Sequence, residues 1–270
     1  MNGTIYTKPV LKWAGGKSQL LGEIIPRMPE SYTNYIEPFF GSGAVYFAIA
    51  PDHAVIADSN PELINLYRII ASDVEDLINL LSKYENTKEQ FYGVRAVDWR
   101  DMKPLEAAAR TVYLNKTCFN GLYRVNRKGL FNTPYANNKR TVFCDATEIR
   151  KAAVLLNGAE IICGDFHEVL MEQSKKGDFI FLDPPYVPVS KNADFKRYTK
   201  EQFGEADQKK LAEDVRELHI RGCKIMLTNS NHPLVHELYE GFKIEVFQTR
   251  RMINKDANNR IGEDVIVTTY

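Results

Sequence analysis

The segment Asp183-Pro184-Pro185-Tyr186 combines a carboxylate, two prolines and an aromatic ring directly after an apolar run, Phe179–Leu182. Proline fixes its backbone torsion angle φ and has no N–H group, so the chain must leave the preceding strand in a stiff, extended turn. The Asp183 carboxylate and a backbone carbonyl can then point outward as neighbouring hydrogen-bond acceptors. Tyr186 offers a face on which a planar base can stack.

An exocyclic amine has two hydrogens to donate to such a pair of acceptors. The two bonds together would orient the lone pair of the amine toward an electrophile and stabilise the positive charge that develops on nitrogen. The tetrad therefore predicts group transfer to an amine of a planar ring, with Asp183, Pro184 and Tyr186 as catalytic residues. A strand-end turn with a chance pair of prolines is the competing interpretation.

A glycine-containing loop joins the first predicted strand to a helix that begins near Ala44. Its residues are Glu37-Pro38-Phe39-Phe40-Gly41-Ser42-Gly43. Glycines allow the backbone to approach a ligand closely at the N-terminus of a helix. The loop differs from the dinucleotide-binding fingerprint, because Tyr46 stands at the position of the third glycine. It therefore predicts a ligand site of another kind.

Acidic residues end two further predicted strands, where ligand groups gather in open α/β sheets. Asp58 ends the second strand, and its carboxylate can accept hydrogen bonds from ribose hydroxyls. Capping of the next helix by Asp58 or Asn60 is the alternative. Asp165 and Phe166 follow the third strand and offer a carboxylate and an apolar face for the adenine of a cofactor, although a phenylalanine here can equally lie in the core.

The N-terminal segment partly matches a phosphate-binding P-loop, with the residues Lys12-Trp13-Ala14-Gly15-Gly16-Lys17-Ser18. A P-loop requires a glycine five residues before Gly16, and that position is Leu11. No strand precedes the segment either, so we do not expect it to bind ATP. The four cysteines form no CxxC pair, and His232 and His236 lack the glutamate of an HExxH motif. We therefore predict neither a disulfide framework nor a metal site.

Positive charge is concentrated in one part of a chain whose net charge is zero. Residues 110–151 contain nine Lys or Arg residues and only two acidic residues. A basic segment on a neutral protein is typical of a surface that binds a polyanion. A solvated basic face is the alternative that charge alone leaves open.

Residues 115–135 alternate amides and arginines with aromatic residues and turn glycines. Amide and guanidinium groups can pair with base edges, so this composition suits a hairpin or loop that recognises DNA. A plain surface hairpin is the competing interpretation.

Short apolar runs alternate with helical patterns, which indicates an α/β fold with a parallel sheet. Seven strands are predicted, and the last two are expected to form a hairpin-like pair at one edge. The predicted strands are Tyr35 to Phe39, Ala54–Asp58, Glu160 to Gly164, Asp178 to Asp183, Cys223 to Thr228, Lys243 to Gln248 and Asp264 to Thr269.

The spacing of these strands is interrupted once, between the second strand and the third. The connection is too long for one crossover helix and shows helical patterns at Leu63 to Ile70, Val74 to Tyr84 and Leu105 to Leu114. We therefore expect an inserted, mostly helical domain at residues 62–150 that carries the hairpin. Residues 1–61 and 151–270 are expected to form the sheet domain.

The remaining composition is ordinary for a globular chain of 270 residues with 44% hydrophobic residues. No apolar run reaches the 18 or so residues needed to cross a bilayer, and residues 1–12 lack the apolar stretch of a signal peptide. We expect a cytoplasmic protein with no membrane association, no obligate protein partner and a monomeric state.

The order and spacing of these motifs resemble those of the Dam/DpnII-type adenine-N6 DNA methyltransferases. The resemblance covers nearly the whole chain and includes motifs from Trp13–Lys17 to the tetrad at residues 183–186. It implies a Rossmann-like methyltransferase sheet with an inserted target-recognition domain, and transfer of a methyl group to adenine N6 of duplex DNA after the base has flipped out of the helix. The usual target of the family implies the site GATC.

The resemblance also implies S-adenosylmethionine as the cofactor. Its expected contacts are Trp13, Ala14, Gly15, Lys17, Glu37, Pro38, Phe39, Gly41, Ser42, Gly43, Asp58, Asp165, Phe166 and Asp183. Together with the basic segment, the resemblance predicts the DNA-binding residues Lys12, Lys116, Phe119, Asn120, Leu122, Arg124, Asn126, Arg127, Lys128, Asn132 and Pro134. Phe119 stands where the family often has an intercalating aromatic residue, and its ring has no hydroxyl. Stacking is therefore expected here, without the hydrogen bond that a tyrosine could make.

Two alternatives stay open at this stage. The acceptor geometry of the tetrad suits any amine, so cytosine N4 or an amine in RNA could be the target. The chain could also be a DNA-binding module without catalytic activity, although the tetrad and the glycine loop argue against it.

Overall fold

The computed structural model describes residues 7–138, 140–188, 203–250 and 261–270. Its seven-stranded sheet confirms every predicted strand, with shifts of a few residues at the ends. The strands are β1 Tyr35–Glu37, β2 Ala54–Asp58, β3 Ala159–Cys163, β4 Phe179–Leu182, β5 Lys224–Ser230, β6 Lys243–Arg250 and β7 Ile261–Thr268.

The strand order is β3-β2-β1-β4-β5-β7-β6, and β7 lies antiparallel between β5 and β6. The five strands β1 to β5 run parallel to one another. The strand order reverses between β1 and β4. The chain places β2 and β3 on one side of β1 and then places β4 and β5 on the other side. This arrangement confirms the expected Rossmann-like fold and the terminal pair of strands at one edge.

Helices connect the strands over the described residues. They are α1 Leu21–Ile24, α2 Ala44–Ile49, α3 Pro61–Ser72, α4 Val74–Leu81, α5 Lys88–Ala96, α6 Pro104–Thr117, α7 Ala146–Leu156, α8 Phe166–Gln173, α9 Glu205–Ile220 and α10 Pro233–Leu238. Pro61 suits the first turn of α3, because proline has a preset φ and the first N–H groups of a helix lack intrahelical partners. Helix α4 ends three residues before the expected Tyr84.

Two apolar clusters cover the two faces of the sheet. Alternate residues of a strand point to opposite faces, so Phe179 and Phe181 lie in one cluster while Ile180 and Leu182 lie in the other. The cluster around Phe179 continues into α3, α4 and α6. The connection between β2 and β3 therefore shares a core with the sheet, and its division from the sheet domain at residues 62–150 stays a proposal.

Part of the basic segment is internal, contrary to the simple expectation of a basic surface. Arg110 is only 1% exposed, and its guanidinium donates to Glu62 Oε1 at 2.8 Å. Arg150 pairs with Glu75, and Lys151 pairs with Glu148. These three cations are neutralised within the chain, so the positive surface depends on the other basic residues of the segment.

No helix within the described ranges is long and apolar enough to cross a membrane.

Candidate active site

The point where the strand order reverses places Glu37 and Asp183 at the carboxyl ends of adjacent strands, β1 and β4. Open α/β sheets bind ligands in the crevice at such a switch point, because the connecting loops diverge to opposite faces there. The glycine loop that follows β1 and the tetrad that follows β4 therefore border one crevice.

A buried lysine occupies the space beside the tetrad. The Lys17 ammonium lies 2.7 Å from Asp183 Oδ1 and 4.6 Å from the centre of the Tyr186 ring. Lys17 is 6% exposed. Burial alone would lower the pKa of Lys17, but the Asp183 carboxylate beside it raises this pKa above its ordinary value. The space between Asp183 and the tyrosine face therefore accommodates a positively charged nitrogen that donates hydrogen bonds.

Strand β5 holds the tetrad in place with polar residues that the sequence interpretation missed. The Thr228 hydroxyl donates to Asp183 Oδ1 at 2.8 Å. Asn229 Oδ1 accepts from the Val187 N–H, and the Ser230 hydroxyl donates to the Val187 carbonyl. A run of three polar residues at the end of an otherwise apolar strand was the signal that could have revealed them.

Helix α9 supports the same turn from the other side. Gln208 is 3% exposed, and its Nε2 donates to the Pro185 carbonyl at 2.7 Å. Asn229 Nδ2 donates in turn to Gln208 Oε1 at 3.2 Å. Prolines cannot donate hydrogen bonds, so the turn depends on these side-chain contacts at its carbonyl groups and at Val187. Gln208 carries no recognisable sequence signal, because it is one of several polar residues in the first turns of α9.

Glu37 is a second carboxyl group in the crevice and is 2% exposed. Tyr35 donates its hydroxyl to Glu37 Oε2 at 2.7 Å. Burial raises the pKa of Glu37 well above its ordinary value, and the nearby Asp183 adds to that effect, while the Tyr35 hydroxyl and Lys17 oppose it.

Trp13 packs against the glycine loop at Gly41, which has φ of +49°. A Cβ atom at this position would lie 2.9 Å from Cδ1 of the Trp13 indole. Glycine is thus required both by the positive φ and by the approach of the ring. The structure brings the N-terminal segment and the glycine loop together, as the expected cofactor site requires.

Asp58 connects the glycine loop to the helix that follows β2. Its Oδ2 accepts from the Gly41 N–H and its Oδ1 from the Asn60 N–H, both at 2.9 Å. Burial raises the pKa of Asp58 to about 6, although both backbone donors lower it. Asn60 is the residue that caps α3, because its side chain accepts from the N–H groups of Glu62 and Leu63. Contact of Asp58 with a ribose stays a prediction.

An aromatic group borders the crevice beyond β3. Phe166 stacks on Phe39 at 5.3 Å between ring centres, and Phe203 contacts both rings. Phe166 is 8% exposed and belongs to a core cluster. Asp165 caps α8 by accepting from the His167 N–H at 2.8 Å. Asp165 and Phe166 therefore have local structural roles. Their contact with a cofactor adenine stays a prediction.

An open cavity of about 360 Å³ lies between the N-terminal segment and the end of α6. Its wall includes Lys12, Trp13, Gly16, Ser42 and Lys116. Burial lowers the pKa of Lys116, and the neighbouring Lys12 ammonium acts in the same direction. Predicted cofactor-binding residues and predicted DNA-binding residues therefore share the border of one cavity.

The expected hairpin is present as a compact loop element with isolated bridges rather than a continuous ladder. Cys118 bridges Tyr135, and Val125 bridges Phe131. Tyr123, Val125 and Phe131 are buried, whereas the residues between them are more exposed. This alternation directs Leu122 and Arg124 away from the core.

Several predicted DNA-binding residues are exposed on this element, which we call the recognition element (residues 118–135). They are Phe119, Asn120, Arg127, Lys128 and Pro134. Phe119 is 55% exposed, so its ring is accessible for the expected intercalating role.

Other predicted contacts have partners inside the recognition element. Arg124 donates from Nε to Asn132 Oδ1 at 2.8 Å. Asn126 Oδ1 accepts from the N–H groups of Lys128 and Leu130 and so shapes the turn of the hairpin. Asn132 and Asn126 therefore have structural roles within the recognition element, and their contacts with DNA stay a prediction.

Within the described part of the chain, no cluster of three or more His, Cys, Asp or Glu side chains is arranged to hold a metal ion.

Comparison with known proteins identifies a family and close relatives. The family model of the D12 class N6 adenine-specific DNA methyltransferases matches residues 13–253. The chain is 41% identical to the type II methyltransferase M1.LlaDCHI of Lactococcus lactis subsp. cremoris, over 98% of this chain and 96% of that protein. It is 39% identical to the type II methyltransferase M.MjaIII of Methanocaldococcus jannaschii, over 94% and 95% of the two chains. It is also 32% identical to the DNA adenine methylase of Haemophilus influenzae, over 97% and 93%.

Proposed function

The chain belongs to the D12 class N6 adenine-specific DNA methyltransferases, and from this premise we propose that it transfers a methyl group from S-adenosylmethionine to adenine N6 within GATC sites of duplex DNA. The observation that carries the proposal is the buried Lys17 ammonium between Asp183 and the face of Tyr186. The same space suits an amine that gains positive charge as it is methylated.

The target adenine would donate its two N6 hydrogens to Asp183 and to the Pro184 carbonyl, with its ring on Tyr186. Lys17 must withdraw from Asp183 as the amine enters. Asp183 and the Pro184 carbonyl would hold the nitrogen toward the methyl group that the cofactor would supply in exchange for its bond to sulfur, and the Asp183 carboxylate would accept the surplus N6 proton. Thr228 donates to Asp183, and Gln208 donates to the Pro185 carbonyl next to the Pro184 acceptor, so the turn that carries both acceptors is held before the reaction and needs little reorganisation during it.

The residues around the crevice fit S-adenosylmethionine. Trp13, packed on Gly41, offers an aromatic face, Asp58 offers a carboxylate for ribose hydroxyls, and Phe39 with Phe166 offers an apolar surface for adenine. When bound, this cofactor supplies an electrophilic methyl group on a sulfonium. The buried Glu37 at the carboxyl end of β1 adds a polar contact for the same ligand.

The recognition element provides the proposed DNA contacts. Removing the adenine from the duplex costs a few kcal/mol for unstacking and unpairing. Insertion of Phe119 and phosphate contacts by Lys116, Arg127 and Lys128 would offset that cost. We assign base recognition to Lys12, Asn120, Leu122, Arg124 and Pro134, and the expected GATC site depends on these residues. A target-recognition insertion at residues 62–150 and a monomeric, cytoplasmic enzyme are parts of the same proposal.

A plasmid test addresses base and site together. Plasmid DNA without adenine methylation is incubated with the enzyme and S-adenosylmethionine, then digested with endonucleases that differ in their sensitivity to adenine methylation at GATC. We expect protection only from the sensitive enzyme, and N6-methyladenine as the modified nucleoside in the hydrolysed DNA. N4-methylcytosine, or transfer to RNA alone, would contradict the proposed target. N6-methyladenine at other sites would retain the chemistry and overturn GATC.

A further inference from the structure

An aromatic pair joins the proposed cofactor segment to the recognition element. Trp13 stacks on Tyr123, with 4.9 Å between ring centres and 25° between ring planes. On its other side, Trp13 packs against Gly41 of the glycine loop. Tyr123 is 4% exposed and lies between the half-buried Leu122 and Arg124, to which we assign base recognition. The stack therefore places one ring from each site in direct contact.

The hydroxyl of Tyr123 is anchored to a buried charge. It donates to Glu62 Oε2 at 2.6 Å. Glu62 is 1% exposed, and its other oxygen accepts from Arg110 at 2.8 Å and from Thr111 at 2.9 Å. Glu62 belongs to the first turn of α3, which begins directly after Asp58 and Asn60. The anchor of Tyr123 is thus also part of the helix that continues from the proposed ribose-binding strand.

A second set of contacts also joins the N-terminal segment to the recognition element. Asn115 is fully buried, and its side chain accepts from the Lys12 N–H and donates to the Lys12 carbonyl. The same side chain donates to the Gly121 carbonyl at 3.2 Å. A Cβ atom at Gly121 would lie 2.5 Å from Cδ of Lys12, so the two segments are closely packed. A shift of the N-terminal segment must therefore be transmitted to the recognition element.

The opposite end of the recognition element provides a natural comparison. Tyr135 also donates its hydroxyl within the insertion, to the backbone and side-chain oxygens of Asn86 at 3.0 and 2.8 Å. Its ring packs near Phe91 at 5.2 Å. Tyr135 thus stabilises the same element through a similar tyrosine contact, but its described contacts are not with the cofactor segment.

We propose that Tyr123 is a positioning residue that couples cofactor binding to DNA binding. A cofactor that orders Trp13 restricts the ring stacked on it, and the neighbouring Leu122 and Arg124 are then held in their DNA-facing positions. By thermodynamic linkage, DNA bound at Leu122 and Arg124 strengthens cofactor binding by the same factor. This inference rests on the proposed function, because it assumes that Trp13 contacts the cofactor and that the recognition element contacts DNA.

The test measures coupling rather than activity. The dissociation constant of S-adenosylhomocysteine, which cannot donate a methyl group, is measured by calorimetry with and without a saturating GATC duplex. The ratio of the two constants is the coupling factor, and sites coupled by a shared packed element typically give about 5- to 150-fold. We expect the Tyr123→Leu variant to have a coupling factor close to one. The Tyr123→Phe variant keeps the stack but loses the hydrogen bond to Glu62, so we expect its coupling factor to decrease about threefold. Tyr135→Leu and Tyr135→Phe are the matched controls and should keep the wild-type factor.

Each result bears on the proposal. An unchanged factor in either Tyr123 variant, an equal loss in the matching Tyr135 variant, or a wild-type factor of one would overturn the coupling role. Wild-type protein that binds neither S-adenosylhomocysteine nor the duplex would refute the proposed function itself. Far-ultraviolet circular dichroism and thermal unfolding verify that each variant is folded, and Tyr123→Phe alone decides the question if Tyr123→Leu does not fold.

Discussion

Asp183→Asn removes the charge of the proposed catalytic carboxylate while it keeps the shape of the side chain. Asp183 Oδ1 accepts from Lys17 at 2.7 Å and from Thr228 at 2.8 Å. The amide oxygen of asparagine can keep both bonds, and an NH₂ group then replaces Oδ2. The target amine would face a donor where it needs an acceptor. The substitution therefore alters the group that receives the amine and leaves its supports in place.

The expected loss follows from the kind of contact removed. A preorganised group that stabilises developing charge contributes about 10²- to 10³-fold to kcat, or about 3–4 kcal/mol. Asp183 is 19% exposed, so solvent can replace little of this stabilisation. We expect kcat of Asp183→Asn to decrease by at least that factor. The dissociation constants for cofactor and duplex should change by only about threefold, because most contacts to both lie elsewhere.

Single-turnover transfer of a radiolabelled methyl group measures the chemical step, and calorimetry measures cofactor binding. Thr228→Val is the matched control, because it removes one hydrogen bond to Asp183 without removing the charge. That change should cost about fivefold in kcat, or ~1 kcal/mol. In the double variant, Thr228→Val should add little to Asp183→Asn, because the two residues act as one unit. Turnover of Asp183→Asn within tenfold of wild type, or fully additive effects, would refute the assigned role.

Three further predictions concern the cofactor, the metal and the base contacts. Burial raises the pKa of Asp58 from 3.8 to about 6, so ribose hydroxyls should meet an ionised acceptor only above that pH. Below it, cofactor affinity should decrease roughly tenfold per pH unit. Calorimetry at pH 5 and pH 7.5 tests this, and the Asp58→Asn variant should lose the pH dependence. The same shift stabilises the folded state below pH 3.8, and that contribution is lost as the pH rises through about 6. Methyl transfer should continue in excess EDTA, because the sulfonium already supplies the electrophile, and a strict requirement for a divalent metal would contradict the mechanism. Arg124→Ala should relax discrimination at one base pair by about 1–3 kcal/mol in kcat/KM on singly substituted duplexes, whereas equal losses on all duplexes would identify a phosphate contact.

Local patterns determined the strands and the main motifs of this protein. Each strand has a short apolar run between turn residues, so β2 was predicted with both of its ends and the other six to within a few residues. The tetrad was also recognisable locally, because consecutive prolines after an apolar strand limit the backbone whatever surrounds them. The glycine loop and Asp58 were found in the same way, at the ends of two strands.

Only the tertiary structure decided which side chains meet. Lys17 is predicted to contact the cofactor, and the structure places it against Asp183. Arg110 is counted with the basic surface in the sequence, and the structure buries it against Glu62. Thr228 shows no relation to the tetrad until β5 is placed beside β4. Such pairs join residues far apart in the chain, and no local propensity encodes them. They follow from the order of the strands and from the cost of burying a charge without a partner.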